Sequence, residues 1–266
     1  MRAVGRALAA RRGRPGELSC RTVWVGKQRS VEFAESAGGD VAALAQDLRA
    51  RGAPRLAEQL VASYALAADD YEVLETLDAP ARGALLAIAV GGLVATGKST
   101  AAKAIARRID AMRVVADRVR LALLAEAGQK RAHELSWEPA FGDQVYAGLL
   151  ERAGRVLASR RSVVIDACFP DQARRGEAAA LAARHGARFV FVHCVAPEED
   201  VIARLRLRDT RDDAPPGAWQ KLARELEARW EPPRPSTYVQ VDTSLPRKSW
   251  LRVLGVAGPG LEEEAS

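Results

Sequence analysis

Residues 92–99 read Gly-Leu-Val-Ala-Thr-Gly-Lys-Ser. A glycine, four free positions and then Gly-Lys-Ser is the spacing of a phosphate-binding P-loop. In such a loop backbone N–H groups and the N-terminus of the following helix converge on phosphate oxygens. Nucleotide contacts are therefore expected from Gly92, Ala95, Thr96, Gly97, Lys98, Ser99 and Thr100. Lys98 would reach the β- and γ-phosphates, and the Ser99 hydroxyl would sit on Mg²⁺. Lysine is scarce here, six against 34 arginines, so Lys98 stands out from its background.

Three further groups could serve phosphate chemistry. Val163-Val164-Ile165-Asp166 is an apolar strand pattern ending in a carboxylate, the Walker B form, and Mg²⁺ needs few carboxylates. Asp166 is thus a metal candidate beside Ser99, with a plain turn aspartate as the alternative. Asp117 follows the apolar run Val114-Val115-Ala116, with Arg118 and Arg120 just after it. Asp117 could take a proton from a substrate hydroxyl and Arg120 could hold a phosphate or the substrate. An N-cap role for Asp117 is compatible with that. Arg204, Arg206, Arg208 and Arg211 crowd a helix end that runs into Pro215-Pro216-Gly217. Such a segment suits a lid closing over ATP, with Arg208 and Arg211 favoured to offset charge on the phosphoryl group. The alternative is a solvated face of local Arg–Asp pairs.

His133, His185 and His193 lie far apart without ligand spacing and read as structural or surface residues. Cys20, Cys168 and Cys194 show neither metal spacing nor a disulfide framework. Cys168 reads as a small core residue.

These groups must be positioned by alternating strands and helices. Apolar runs predict strands at Leu85–Val90, Arg113–Ala116, Ser162–Ile165, Arg188–Cys194 and Tyr238–Val241. Helices are expected over 98–109, 118–127, 143–159, 171–185, 197–209 and 217–229. Continuously apolar strands between helices imply an α/β fold with a parallel sheet covered on both faces. Ahead of it, Asp40–Arg51 and Pro54–Ala67 read as a helical hairpin turning at Gly52-Ala53. Its stripes are Val41, Leu44 and Leu48 on one helix and Leu56, Leu60 and Tyr64 on the other. The resulting organisation is a basic, disordered tail over 1–30 and a hairpin over 31–80. A nucleotide-binding domain over 84–255 and a short disordered tail over 256–266 complete it.

The net charge of +6 is unevenly placed. Residues 1–30 hold seven arginines and Lys27 against Glu17 alone, a local +7. The remainder holds 32 basic and 33 acidic residues, so nucleic acid is not the favoured partner. No apolar stretch approaches the ~20 residues of a membrane helix. The cysteine usage points to a reducing cytoplasm.

Gly91-Gly92, Thr96-Gly97-Lys98-Ser99-Thr100, Asp117-x-x-Arg120 and Val164-Ile165-Asp166-Ala167-Cys168-Phe169, together with Arg208 and Arg211, resemble a known family. It is the P-loop kinase-like ATPases of the AAA_33 group, which are similar to zeta toxins and polynucleotide kinases. The resemblance spans about residues 84–246. It implies a three-layer sandwich with strand order 2-3-1-4-5, Asp117 as base and Arg120 as a substrate-side arginine. That order also implies that the P-loop strand separates Cys168 from Cys194, which would stay reduced. The family usually reads Pro-Gly where this chain has Val94-Ala95. Its Ser-Asp motif after the lid is replaced by Ala214-Pro215-Pro216-Gly217.

Val31-Glu32-Phe33, Asp40-Val41-Ala42, Asp47-Leu48-x-x-Arg51-Gly52 and Asp70-Tyr71 resemble the C-terminal end of an aminoglycoside-phosphotransferase-like domain. The His-x-Asp-x-x-x-x-Asn catalytic loop of that family is absent, as is its metal-binding aspartate before Val31. The front portion therefore resembles a remnant without catalytic ability.

Three functions are weighed. The leading one is transfer of the γ-phosphate of ATP-Mg to a hydroxyl of a small-molecule or nucleotide acceptor. The second is a nucleotide-dependent switch or interaction module, with the hairpin as docking surface. The third is a polynucleotide 5′-hydroxyl kinase that uses the basic tail. No Asn-Lys-x-Asp motif or Leu-Ser-Gly-Gly-Gln signature occurs, which disfavours a GTPase and an ABC ATPase.

Overall fold

Strands that are apolar on both faces must be covered on both faces, and the computed structural model of the chain is built that way. It describes residues 23–25, 31–33, 41–77, 83–127, 140–211, 217–235, 237–247 and 249–250. The chain divides into two units, the first Met1–Gly83 with Ala158–Arg160 and the second Ala84–Leu157 with Arg161–Ser266.

The first unit begins with β1 (Val23–Val25) and β2 (Val31–Phe33), an antiparallel pair in which Trp24 faces Glu32 in register. β-branched and aromatic residues favour this conformation. The paired strand β1 falls within the stretch that sequence reading assigned to the tail. The hairpin follows as α1 (Val41–Ala50) and α2 (Pro54–Ala68), with Pro54 at the start of α2 and Asp69 left-handed at its end. The α1 stripe is buried as expected, through Val41, Leu44, Ala45 and Leu48. The α2 stripe needs correction. Leu56 is 42% exposed, and the buried face is Ala57, Leu60, Val61 and Ala65. Small alanines let two helices approach closely, so the seam follows Ala57 rather than the larger Leu56. A 3-10 turn at Glu72–Thr76 closes the unit over buried Val73, Leu74 and Leu77.

In the second unit strands alternate with single or paired helices. Its elements are β3 (Leu86–Gly91), α3 (Lys98–Arg108), β4 (Met112–Val115), α4 (Ala116–Ala127) and α5 (Phe141–Ala158). They continue as β5 (Val163–Asp166), α6 (Gln172–Arg184), β6 (Arg188–Val195), α7 (Glu198–Arg211), α8 (Ala218–Glu227) and β7 (Val239–Asp242). The sheet order is β4-β5-β3-β6-β7, with every neighbouring pair parallel. Counted within this sheet, that is the order 2-3-1-4-5. The first strand therefore lies at the centre, and β5 and β6 flank it.

Alternate residues of β3 point to opposite faces. Ile88 and Val90 join Val164, Val192, Cys194 and Val241 in a core that α3 covers with Ala101, Ala102, Ile105 and Ala106. On the other face α6 packs against β3 and β6. Asp171 caps α6 by accepting the Arg174 N–H at 2.7 Å. Cys168 and Cys194 are both free thiols; Cys168 follows β5, Cys194 lies on β6, and β3 separates those two strands. Burial pushes the Cys194 thiol up to about 12, consistent with an inert core residue. No helix of the described residues is long and apolar enough to cross a membrane.

Candidate active site

Glycine supplies the conformations that let β3 turn into α3 within six residues. Gly92 sits at φ 144° and Gly97 at φ 79°. A Cβ on Gly92 would lie 2.5 Å from the Cys194 carbonyl oxygen, and one on Gly97 2.6 Å from Thr243 Oγ1. Neither position admits a side chain. Ala95 is left-handed at φ 63° without being glycine. The loop's own polar groups turn inward. Thr96 Oγ1 donates to the Leu93 carbonyl at 2.8 Å, and Lys98 Nζ donates to the same oxygen at 3.4 Å. Lys98 is thus folded over the loop that its ammonium would serve. Thr100 is exposed in the first turn of α3.

Strand order brings the second half of the site beside the first. β5 lies against β3, with Asp166 opposite Val90 in register. Asp166 Oδ1 accepts the Ser99 hydroxyl at 3.3 Å, and Asp166 is 3% exposed. The Gly92 N–H donates to the Cys168 carbonyl at 3.0 Å and ties the loop to the exit of β5. Burial raises the Asp166 pKa, while Arg113, Lys98 and the Ser99 hydrogen bond lower it and Asp117 raises it. Asp117 is therefore near enough for its charge to act on Asp166. Its residue is exposed, in the first turn of α4 at the end of β4.

Ser99 and Asp166 offer hydroxyl and carboxylate oxygens, the hard donors that Mg²⁺ prefers. Among the described residues no group of three or more His, Cys, Asp or Glu could hold a metal. An ion on this pair would complete its shell with phosphate oxygens and water, which is the habit of Mg²⁺. The two side chains fit that group.

The arginines are distributed differently from the sequence expectation. Arg120 places its guanidinium over the Phe141 ring at 5.3 Å, beside α5. Arg208 stacks on Trp219 of α8, 5.0 Å from the ring centre, rather than on the P-loop. Arg211 is the last residue of α7, and the Ala214-Pro215-Pro216 stretch lies outside the described residues. Among the described side chains of α7, Arg204 is one that touches the P-loop. Its Nη1 donates to the Ala95 carbonyl at 3.1 Å and to Thr243 Oγ1 at 3.2 Å. Thr243 Oγ1 in turn donates to the Thr96 carbonyl at 2.7 Å. Val94, Ala95 and Leu205 are buried together under Val201, Trp219, Ala223 and Leu226. The Val94-Ala95 pair that replaces Pro-Gly is thus an apolar seat for α7 and α8.

Arg113, unlike Arg204, was not among the candidates, yet it reaches the Ser99–Asp166 pair. Its Nη1 lies 3.3 Å from Asp166 Oδ2 and 3.1 Å from the Ser99 carbonyl. One signal for it was present, a lone cation in an otherwise apolar strand. Thr243 had none, since a threonine after a strand is ordinary. His193 is a packing residue as expected, stacked between Phe191 and Trp230 with centroids at 6.5 and 5.2 Å. His185 ends α6 as its C-cap, and His133 lies outside the described residues.

Comparison with known proteins agrees with this architecture. The model of the AAA-domain family AAA_33 matches residues 88–233, more than half of the chain. The crystal structure of a candidate kinase from Chloroflexus aurantiacus aligns at 20% identity, covering 66% of this chain and 96% of that one with a TM-score of 0.51. That likeness shows a shared fold. A gluconokinase from Sinorhizobium meliloti aligns at 23% identity over 66% of this chain and 93% of that chain, TM-score 0.47. The APS kinase of Mycobacterium tuberculosis, solved with AMPPNP and APS, aligns at 21% identity over 66% and 98%, TM-score 0.45. No protein of curated function matches the chain significantly in sequence.

Proposed function

The chain belongs to the AAA_33 family, and from that premise we propose that it is an ATP-dependent phosphotransferase acting on a hydroxyl acceptor. The observation that carries this reading is a pair of carboxylates in different surroundings at adjacent strand ends. Asp166 is buried and bonded to Ser99, which suits a metal contact. Asp117 is exposed and within electrostatic reach of Asp166, which suits a base facing an incoming substrate.

In this reading the backbone N–H groups of Gly92–Thr100 hold the triphosphate and Lys98 lies along the β- and γ-phosphates. Ser99 and Asp166 would hold Mg²⁺, which when bound would neutralise charge on the phosphate oxygens. Asp117 accepts the acceptor's hydroxyl proton as that oxygen bonds to the γ-phosphorus and ADP leaves. Arg120 orients the acceptor. Arg208 and Arg211 offset the charge on the transferring group, for which Arg208 must leave Trp219. Arg204 bonds the P-loop carbonyl and seats the base of the lid. The first unit, with its hairpin of α1 and α2, we read as the remnant of an aminoglycoside-phosphotransferase-like domain.

Two observations favour a second reading, a nucleotide-dependent switch without transfer. Arg208 is occupied by Trp219, and the family's Ser-Asp motif is replaced by Pro-rich sequence.

The test is ATP turnover over a panel of hydroxyl acceptors, including a 5′-hydroxyl oligonucleotide, with wild type and Asp117→Asn. The expected result is acceptor-dependent turnover in wild type that falls at least about 100-fold in the variant, with ATP affinity unchanged. Unchanged turnover in Asp117→Asn would remove its role as base. Nucleotide binding without turnover on any acceptor would favour the switch.

A further inference from the structure

Arg113 stands on β4, an otherwise apolar strand at the edge of the sheet. It reaches across to β5 and makes an ion pair with Asp166 at 3.3 Å, the carboxylate 2% exposed and the guanidinium side chain 30% exposed. The same Nη1 donates to the Ser99 carbonyl at 3.1 Å. The second Asp166 oxygen accepts the Ser99 hydroxyl at 3.3 Å. One guanidinium therefore bridges both residues that would contact a divalent cation.

A buried carboxylate without a counter-ion is costly, which explains why a cation sits there. Arginine cannot shed its proton under ordinary conditions, so its charge leaves the site only if the side chain moves. A positive charge a few ångströms from a divalent ion repels it, and both compete for the Asp166 carboxylate. The Arg113 stem is long and partly exposed, so it has room to swing away.

We propose that Arg113 is a built-in counter-ion. It keeps Asp166 and Ser99 in register while no divalent cation is bound, and it competes with that cation for Asp166. Metal affinity is then lower than the Ser99–Asp166 pair alone would give. Arg113 is a positioning residue in this scheme. The inference rests on the nucleotide site proposed above.

Mn²⁺ serves as the probe, titrated into the full chain at saturating ADP with free Mn²⁺ read by electron paramagnetic resonance. Wild type, Arg113→Met and Arg113→Lys are compared. Arg113→Met should bind Mn²⁺ at least about fivefold tighter than wild type, and Arg113→Lys, which keeps the charge, should stay within about twofold. In EDTA, Arg113→Met should melt below wild type, and Mn²⁺ with ADP should raise its melting temperature by a larger increment. A loss of general structure would weaken binding, so tighter binding is not explained by damage. If Arg113→Met does not fold, Arg113→Gln takes its place, since it removes the charge and keeps a donor. Equal or weaker Mn²⁺ affinity in either folded neutral variant overturns the proposal. Failure of the underlying site reading looks different, because wild type itself would then take up no stoichiometric Mn²⁺ with ADP, and both readings would fall.

Discussion

Ala95 occupies a left-handed conformation at φ 63°, which costs an L-residue about 1–2 kcal/mol. The residue is 5% exposed and packs with Val94 and Leu205. Replacing it with glycine relieves the strain. It also removes a buried carbon worth about 0.8 kcal/mol and adds about 0.4–1 kcal/mol of unfolded-state freedom. The terms nearly cancel, so Ala95→Gly should change stability by less than about 1 kcal/mol. Gly92→Ala has no such compensation. Its Cβ would lie 2.5 Å from the Cys194 carbonyl, a backbone atom that cannot rotate aside, at φ 144°. A loss of about 2 kcal/mol or more is expected, together with impaired ATP binding. Denaturant melts of the two variants check the pair. A neutral Gly92→Ala, or a strongly destabilised Ala95→Gly, would contradict this account of the loop. The glycine spacing was legible because each position answers to a local backbone demand. The Ala95 strain was not, since the residue type alone does not reveal its φ.

At the scale of elements, β6, α6 and the segment after α8 close on one another around Arg175. Its Nε donates to the Phe169 carbonyl and its Nη2 to Pro170, both at 3.0 Å. Nη2 also donates to the Glu231 carbonyl. His193 of β6 lies in the same stack, beneath Trp230 and edge-on to Tyr238. Burial lowers its pKa from 6.5, and the Arg175 charge lowers it further. The folded protein therefore binds fewer protons at His193 than the unfolded chain does. That stability is whole above pH 6.5 and falls as pH drops through this value towards the depressed pKa. Melting temperatures from about pH 7.5 to about pH 5 should fall more steeply in wild type than in His193→Phe. Parallel curves would remove His193 from the acid response. The strands and helices themselves were readable because buried strands are apolar throughout and helices repeat every three to four residues. The contacts between them were not. Arg113 and Asp166 are 53 residues apart, Arg204 and Ala95 are 109 apart, and Thr243 and Thr96 are 147 apart. Only the strand order brings such pairs together, and no local pattern encodes it. The α2 face failed for a smaller reason, because Leu56 and Ala57 are adjacent and either gives an apolar stripe.

At the scale of the whole molecule, the candidate active site lies within the unit that begins at Ala84. A fragment starting there should unfold cooperatively and bind ATP-Mg with affinity within about twofold of the full chain, since its core and ligand contacts are its own. A fragment that folds but binds nucleotide far more weakly would give the first unit a part in the site. The sequence beyond residue 30 is nearly neutral, so nucleotide affinity would come from the loop and Lys98 rather than from a basic surface. Lys98 is half-buried and bonded to the Leu93 carbonyl, and it lies outside the main core. Its removal should cost ligand contacts and little stability. The deciding measurement is calorimetric titration of ATP-Mg into wild type and Lys98→Ala. Saturable one-to-one binding in wild type, weakened at least about tenfold in a variant that melts within a few degrees of it, is the expected result. Equal affinity in the two proteins, or no binding by wild type, would contradict a nucleotide site at this loop and the phosphotransfer built on it.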